Sequence, residues 1–383
     1  MEPYLPNYLK GKNRRLVFDL LRERGQMSRA EITRDTGMSF PTAMKVVDAF
    51  LEKGLLVELD ETGPAAGAGR KGRLLRFEPG AYRAVGVECE GRFARVGLAD
   101  MAGGVQARET IELGDFARTR DLSPLAAAIR RMCAAANGAP VLGVCIGFPA
   151  NLDPDAAAIV SYAAMDIQQP TSFAQVFPAF WREVELPVYL ENDANLACEG
   201  EAFLRRGAGG AANMLYLSIG SGCGGAVRLD GKLRRGARCR AGEVGAMLLQ
   251  PALGAPWRSA ARETLEDAVC LAALERRFGA ALRDGAQPGE ASAQAMRDYL
   301  CGPLSGAVYS LVMTLDVELC VLAGIVPGAL GMQLCTQVSE ALRAALPEST
   351  PVRVEPSVSA DAGVIGAAAT VFERSLDALL GSG

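Results

Sequence analysis

Apolar and polar positions along the chain follow two regimes. Over the first 79 residues they keep a helical period. Leu16, Val17, Leu20 and Leu21 recur at i, i+1, i+4, i+5 within Asn13–Arg24, which predicts a helix ended by Gly25. Ser28-Arg29-Ala30-Glu31 has the spacing of a capping box and predicts a short helix to about Thr36, with Gly37 as the turn. Ser39 as N-cap and Pro41 in the first turn open a third helix, in which Ala43, Val47, Phe50 and Leu51 share a buried stripe. Leu55–Leu59 and Leu74–Phe77 read as short strands around a Gly/Ala-rich loop ending Gly69-Arg70-Lys71-Gly72-Arg73.

Beyond Pro79-Gly80 the pattern changes. Tyr82–Glu90, Phe93–Met101 and Gly104–Leu113 alternate as a three-strand meander. A helix around Pro124–Ala136, a buried strand Val141–Phe148, a helix over Phe173–Glu185 and a strand Val188–Leu190 follow. Glu191-Asn192-Asp193-Ala194-Asn195 then opens a helix to about Arg206. The second half repeats the theme with Met214–Ile219, Gly224–Leu229, helices, Val317–Leu322, a helix, Val352–Val358 and a final helix from about Asp361. The class is α/β. The boundaries read as a head over 1–79, one lobe over 80–190 and a second over 191–383, with the last helix free to return to the first lobe.

Composition narrows the chemistry. The 383 residues are 50% apolar, enough for a large core. Histidine is absent, which removes every Ser-His, Cys-His and imidazole–metal mechanism. The ten cysteines include no C-x-x-C pair and the first dozen residues are polar, so reduced thiols in the cytoplasm are expected. The most apolar stretch, Val308–Leu330, is interrupted by Asp316 and Glu318, so no membrane span is expected. Residues 1–79 carry a formal charge of +3 and the remainder −7, placing any polyanion-binding surface on the head.

Two helices joined by a short turn, the second with an exposed polar N-terminal end, and then a basic-tipped hairpin, form a winged helix-turn-helix pattern. Ser39, Phe40, Thr42 and Lys45 would face base edges, thymine methyls and phosphates, and Arg70, Lys71 and Arg73 would enter a minor groove. The same pattern also describes a three-helix protein-interaction module with a solvated basic loop.

Three strands followed by helix–strand–helix–strand, twice, is the organisation of the actin-like, sugar-kinase-like fold. Within it LENDANLACEGE (190–201), SIGSGCGGAVRLDGKLRRGA (218–237), AGEVGAMLLQP (241–251), LDVELCVLAG (315–324) and SADAGVIGAAA (359–369) resemble the ROK family of repressors, open reading frames and kinases. The resemblance implies that Asp193 and Asn192 contact a sugar, Asp193 being the general base in the family's kinases, and that Glu243 and Glu266 lie beside them. As alternatives, Asn192 and Asp193 cap the following helix, and Glu266 is a solvated helix-face carboxylate.

Several positions depart from the family pattern. Kinases of this fold carry D-x-G-G-T between the first two strands, whereas this chain has Glu88-Cys89-Glu90-Gly91-Arg92, setting carboxylates where phosphates need bare amides. Gly220-Ser221-Gly222-Cys223-Gly224-Gly225 resembles the second phosphate loop. Ala246 stands where the family's zinc-binding His does, and its cysteine run is missing, so no metal and no cofactor are expected. Pro251–Glu266, with Trp257 as anchor, would then be among the more mobile parts.

The expectation is a regulator, not an enzyme. Its head binds a double-stranded operator, and its body forms a dimer or tetramer and senses a carbohydrate effector. An ATP-dependent sugar kinase and a ligand-independent DNA-binding protein are the alternatives.

Overall fold

A computed structural model describes residues 6–62, 73–206, 210–249, 263–279, 282 and 288–380. The head comprises α1 (Pro6–Arg24), β1 (Gln26–Ser28), α2 (Arg29–Thr36), α3 (Phe40–Glu52), β2 (Leu56–Thr62) and β3 (Arg73–Phe77). Its strands form an antiparallel sheet ordered β1-β3-β2. The capping box forms as expected, with the Ser28 hydroxyl accepting from Glu31 N and the Glu31 carboxylate accepting from Ser28 N. Gly37 then closes α2 in the left-handed region at φ 67°. Ser39 sits at the N-cap of α3, but its hydroxyl bonds the Thr42 hydroxyl at 2.8 Å instead of a backbone N–H.

The first unit of the body contains β4 (Arg83–Glu90), β5 (Phe93–Asp100), β6 (Val105–Glu112), α4 (Phe116–Thr119), α5 (Ser123–Ala135) and β7 (Val141–Phe148). A small sheet of β8 (Asn151–Asp153), β9 (Ala158–Ser161) and β10 (Thr171–Ser172) follows. The helix expected over Phe173–Glu185 is two, α6 (Phe173–Val176) and α7 (Pro178–Glu183), because Pro178 cannot donate the N–H that would join them. β11 (Val188–Asn192) leads into α8 (Asp193–Leu204).

The second unit has β12 (Met214–Ile219), β13 (Cys223–Leu229), β14 (Lys232–Arg234), α9 (Leu265–Val269), α10 (Leu271–Phe278), α11 (Glu290–Leu315), β15 (Leu319–Ala323), α12 (Ile325–Leu330), α13 (Met332–Ala345), β16 (Arg353–Pro356) and α14 (Ala362–Leu379). The two large sheets run β11-β7-β4-β5-β6 and β14-β13-β12-β15-β16, so their strand orders correspond one to one. In each, the first strand pairs antiparallel with the second and parallel with the fourth. Central strands such as Leu319–Ala323 are buried throughout, as parallel strands covered on both faces must be.

α14 packs on β4, β7 and α8 and so completes the first unit, not the second. α1 begins earlier than the sequence pattern predicts and turns a different face inward. Val17, Phe18 and Leu21 are buried, whereas Leu16 is 43% exposed. The reason is a second partner: α1 lies against α14 as well as α3. One apolar cluster accordingly runs from Val17, Phe50 and Phe77 in the head to Cys145, Ala367 and Phe372 in the body. The expected boundary at residue 79 marks a change of architecture, and the core crosses it.

Candidate functional site

Between the two units lies a cavity of about 790 Å³. Its walls come from the β4–β5 turn, the segment after β7, the first turn of α8, the β12–β13 turn and the loop around Glu243. The polar run Glu191–Asn195 builds the α8 wall. Glu191 is buried and accepts from Asn192 N at 3.0 Å, from Asn195 Nδ2 at 2.9 Å and from Arg235 Nε at 2.6 Å. Asn192 caps α8: its Oδ1 accepts from Asn195 N at 3.1 Å while its Nδ2 donates to Ala150 O at 3.3 Å. Thus Asn192, expected as a ligand contact, is the helix cap of the alternative reading, although it also borders the cavity.

Asp193 is held by that scaffold at the cavity wall, where Oδ1 accepts from the adjacent Ala194 N at 2.9 Å. Burial pushes its acid up to about 6, and the Glu90 and Glu243 carboxylates push the same way, against its backbone hydrogen bonds. A carboxyl tuned in this way can accept a hydrogen bond from a ligand hydroxyl or take up its proton.

Glu243 faces the same space, its acid raised by burial and by Glu266 against the pull of Arg240. Its Oε1 lies 2.7 Å from the Asn151 amide nitrogen, with that amide oriented so that all its partners are satisfied. Glu266 is exposed on α9 and also borders this cavity. Its Oε2 accepts from Cys223 N at 2.8 Å, inside the β12–β13 glycine turn.

A second cavity of about 360 Å³ is lined by Glu88, Glu90, Arg95, Tyr216, Gly324 and Ser357, among others. Sequence reasoning placed Glu88 and Glu90 here but missed Arg95. That residue stands directly across the hairpin from Glu88. Its guanidinium reaches Glu88 at 3.0 Å and Glu90 at 3.4 Å, so part of the expected negative charge is internally compensated. The signal was cross-strand register, legible once the β4–β5 turn is placed at Gly91-Arg92. Burial pushes the Glu88 acid up to about 7, opposed by Arg95 and reinforced by Glu90 and Asp193.

Carboxylates crowd both glycine segments that a nucleotide triphosphate would meet. A Cβ on Gly220 would lie 2.9 Å from a Glu90 oxygen, and one on Gly363 2.3 Å from the Glu88 carboxyl carbon. The amide of Cys223 is already taken by Glu266. A zinc ion does not fit. Ala246 stands at the His position, and among the described residues no group of three or more His, Cys, Asp or Glu side chains could hold a metal ion. Residues 250–262, including Trp257, lie outside the described residues.

On the head, Ser39, Phe40 and Lys45 are exposed at the start of α3, with Thr42 beside Ser39. Phe40 is 56% exposed, unusual for a large apolar side chain. Arg73 is not free, since its guanidinium pairs with Glu58 at 3.3 Å, and Glu58 also holds Arg29. Arg70 and Lys71 lie outside the described residues. No described helix is long and apolar enough to cross a membrane.

The sequence model of the ROK family matches residues 84–374, three quarters of the chain and both halves of the cavity. The chain belongs to the ROK family. Within it, a xylose repressor of Caldicellulosiruptor bescii is 27% identical over 241 residues, 62% of this chain and 58% of that protein. The match therefore spans less than two thirds of that relative's length. A crystal structure of a ROK family transcriptional regulator, a homologue of the E. coli MLC protein, superposes with a TM-score of 0.77 at 18% identity. It covers 97% of this chain and 98% of that one, head included. The ROK hexokinase of Thermus thermophilus aligns with 76% of this chain and 98% of its own, with a TM-score of 0.58 and 25% identity. The ROK fold of this chain is thus shared by regulators and by sugar kinases.

Proposed function

We propose that this ROK protein is a DNA-binding transcriptional regulator, acting as a repressor, whose body senses a carbohydrate. The observation that carries this reading is the filling of the nucleotide approach by the protein's own carboxylates: Glu90 against Gly220, Glu88 against Gly363 and Glu266 on Cys223 N. Phosphoryl transfer needs a triphosphate and its metal in line with the acceptor hydroxyl, and these contacts set negative charge in their approach. The head, a winged helix-turn-helix in this reading, offers Ser39, Phe40, Thr42 and Lys45 to a major groove, with Arg70 and Lys71 at the wing. A two-fold dimer would set two such helices one DNA turn, ~34 Å, or a multiple of it apart.

In the same reading Asp193, Glu243 and one edge of Asn192 contact the effector. With Glu90 and Glu266 they make the large cavity a carboxylate-rich pocket, answered among the described residues by Arg240 in its lining and by Arg95 on Glu90, which favours an uncharged polyhydroxyl ligand over a sugar phosphate. The repressor relative supports the assignment. The kinase reading rests on Asp193, whose acid is weakened by burial and whose carboxylate is thereby the more basic, as suits a general base.

Binding of the duplex flanking its own gene, measured by fluorescence anisotropy with and without D-xylose, D-glucose and N-acetyl-D-glucosamine, tests the regulator. A coupled assay of ATP consumption with the same sugars tests the kinase. Sugar-dependent ATP turnover that disappears in Asp193→Asn would overturn the regulator reading.

A further inference from the structure

The Asp193–Leu204 helix, α8, is placed at the junction of every part of the molecule. Its first turn presents Asn192 and Asp193 to the large cavity. Its body lies between the two sheets, against β7 on one side and β12 and β13 on the other. Its middle touches α14 with no slack. A Cβ on Gly200 would fall 1.8 Å from Ala362 O, and one on Gly366 1.9 Å from Leu196 O. Toward its end, the buried Glu201 accepts from Val358 N at 3.0 Å, which ties it to the second unit.

The last turn of α8 then meets the head. The Phe203 ring carries the guanidinium of Arg22, from α1, at 4.9 Å and that of Arg206 at 4.7 Å. Ten residues separate Phe203 from Asp193, about 15 Å along one helix.

The contact at Arg22 is unusual in its energetics. The side chain is 4% exposed, and only Nη2 has a partner, Asp19 at 2.8 Å. Among the described residues Nε and Nη1 are buried without a hydrogen-bond partner. A second guanidinium stacks on the same ring, and burial together with the Arg206 charge lowers Arg22 to about 10. Buried donors without acceptors, next to a like charge, raise the free energy of the docked state. The rest of α1 is held conventionally on α14, by the Arg15–Glu373 ion pair and by Arg14 donating to Leu380 O at 3.0 Å. The head is therefore firmly seated at one end and strained at the other, and a small movement of α8 is enough to change the balance.

We propose that α8 is the rod that couples the cavity to the head, and that the Arg22–Phe203–Arg206 stack is the joint at which its position is read. This rests on the regulator reading. A ligand that draws Asp193 into the cavity pivots α8 about its close glycine contact with α14. The glycine contact with α14 prevents α8 from bending, and the movement reaches Phe203. The stack then breaks or tightens, and α1 changes its seat relative to the body. The opposite direction must work equally, because coupling between two sites is reciprocal.

Backbone hydrogen exchange on the full-length protein tests the joint without any ligand. Arg22→Met keeps the apolar stem and removes the guanidinium; Phe203→Leu keeps an apolar side chain and removes the ring. Both are expected to change exchange severalfold at residues 19–24 and also at 192–195, at the far end of α8, while α13 and β15 keep wild-type rates. A response confined to residues 19–24 in both variants overturns the coupling.

The duplex flanking its own gene is then added. In the wild type it is expected to alter exchange at 192–195, and in either variant to leave it unchanged. A duplex that binds the wild type without any change at 192–195 overturns the joint and leaves the regulator standing. Absence of binding to any duplex overturns the regulator reading, and the free-protein comparison still decides whether α8 transmits.

Discussion

Glu88 and Arg95 face each other across the first hairpin of the body, with guanidinium and carboxylate 3.0 Å apart and the Glu88 side chain buried against the N-terminus of α14. The pair lines the second cavity, where Arg95 offsets part of the carboxylate charge.

The Glu88 pair makes stability depend on pH. Its acid is pushed up to about 7 in the folded protein, and that of Asp193 to about 6, both above the values of the unfolded chain. A raised acid binds its proton more tightly when folded. Its contribution is fully present below the unfolded value, near 4–4.5, and is lost as pH rises through the folded one. Thermal unfolding followed from pH 4.5 to 8 should show a declining melting temperature from these two groups. Glu88→Gln should flatten the decline, by roughly 3 kcal/mol at most for a shift of this size. A slope identical to wild type would refute the assignment.

Removing Arg95 tests the other partner. Arg95→Met leaves Glu88 and Glu90 facing one another without a cation. Arg95 is 37% exposed and Glu88 can relieve its loss by taking up a proton, so the expected cost is on the order of 1 kcal/mol at neutral pH and less at pH 5. Chemical denaturation at the two pH values measures the difference.

Wing and recognition helix should separate by their salt dependence. Replacing Arg70 and Lys71 should weaken duplex binding at every sequence and flatten its dependence on salt. Arg73 should matter less, because Glu58 already holds it. Thr42→Ala or Phe40→Ala should change sequence preference, at about 1–3 kcal/mol for each lost base contact. A double wing variant that binds its operator like wild type from low to high salt would exclude the wing.

Glu266→Ala removes the acceptor of Cys223 N and should loosen the glycine turn of the second unit. The expected cost is about 1–3 kcal/mol, the desolvation penalty of a partly buried amide left unpaired. Glu266→Gln keeps an acceptor and should recover most of it. Equal loss in both variants would mean that the charge, not the hydrogen bond, holds the turn.

Much of the body was legible from alternation alone. The meander, the buried strands Val141–Phe148 and Met214–Ile219, and the repeat of the two halves all lie where the pattern of apolar residues sets them. What local pattern could not supply were contacts distant in sequence. Arg235 on Glu191 and Arg14 on Leu380 join residues 44 and 366 apart, and no spacing announces them. The inward face of α1 was misjudged for the same reason, since part of what covers it is α14. Glu191–Asn195 was read as ligand chemistry, yet three of its residues mainly build the turn that presents Asp193. A polar motif near a strand end contains both scaffold and site, and sequence does not label which is which.

The core that crosses residue 79 bears on how such proteins diversify. A head hung on a flexible tether can be exchanged for another without altering the rest, like a tool on a handle. Here Val17, Phe18 and Leu21 share a core with Ala367, Val371 and Phe372, so each surface is cut to fit the other. Grafting this head onto a different body would strand both halves of that seam in water unless the outer face of α14 travelled with it. On the regulator reading, a change of duplex preference in this protein is expected to arise at the exposed start of α3, by substitution, and not by wholesale replacement of the head.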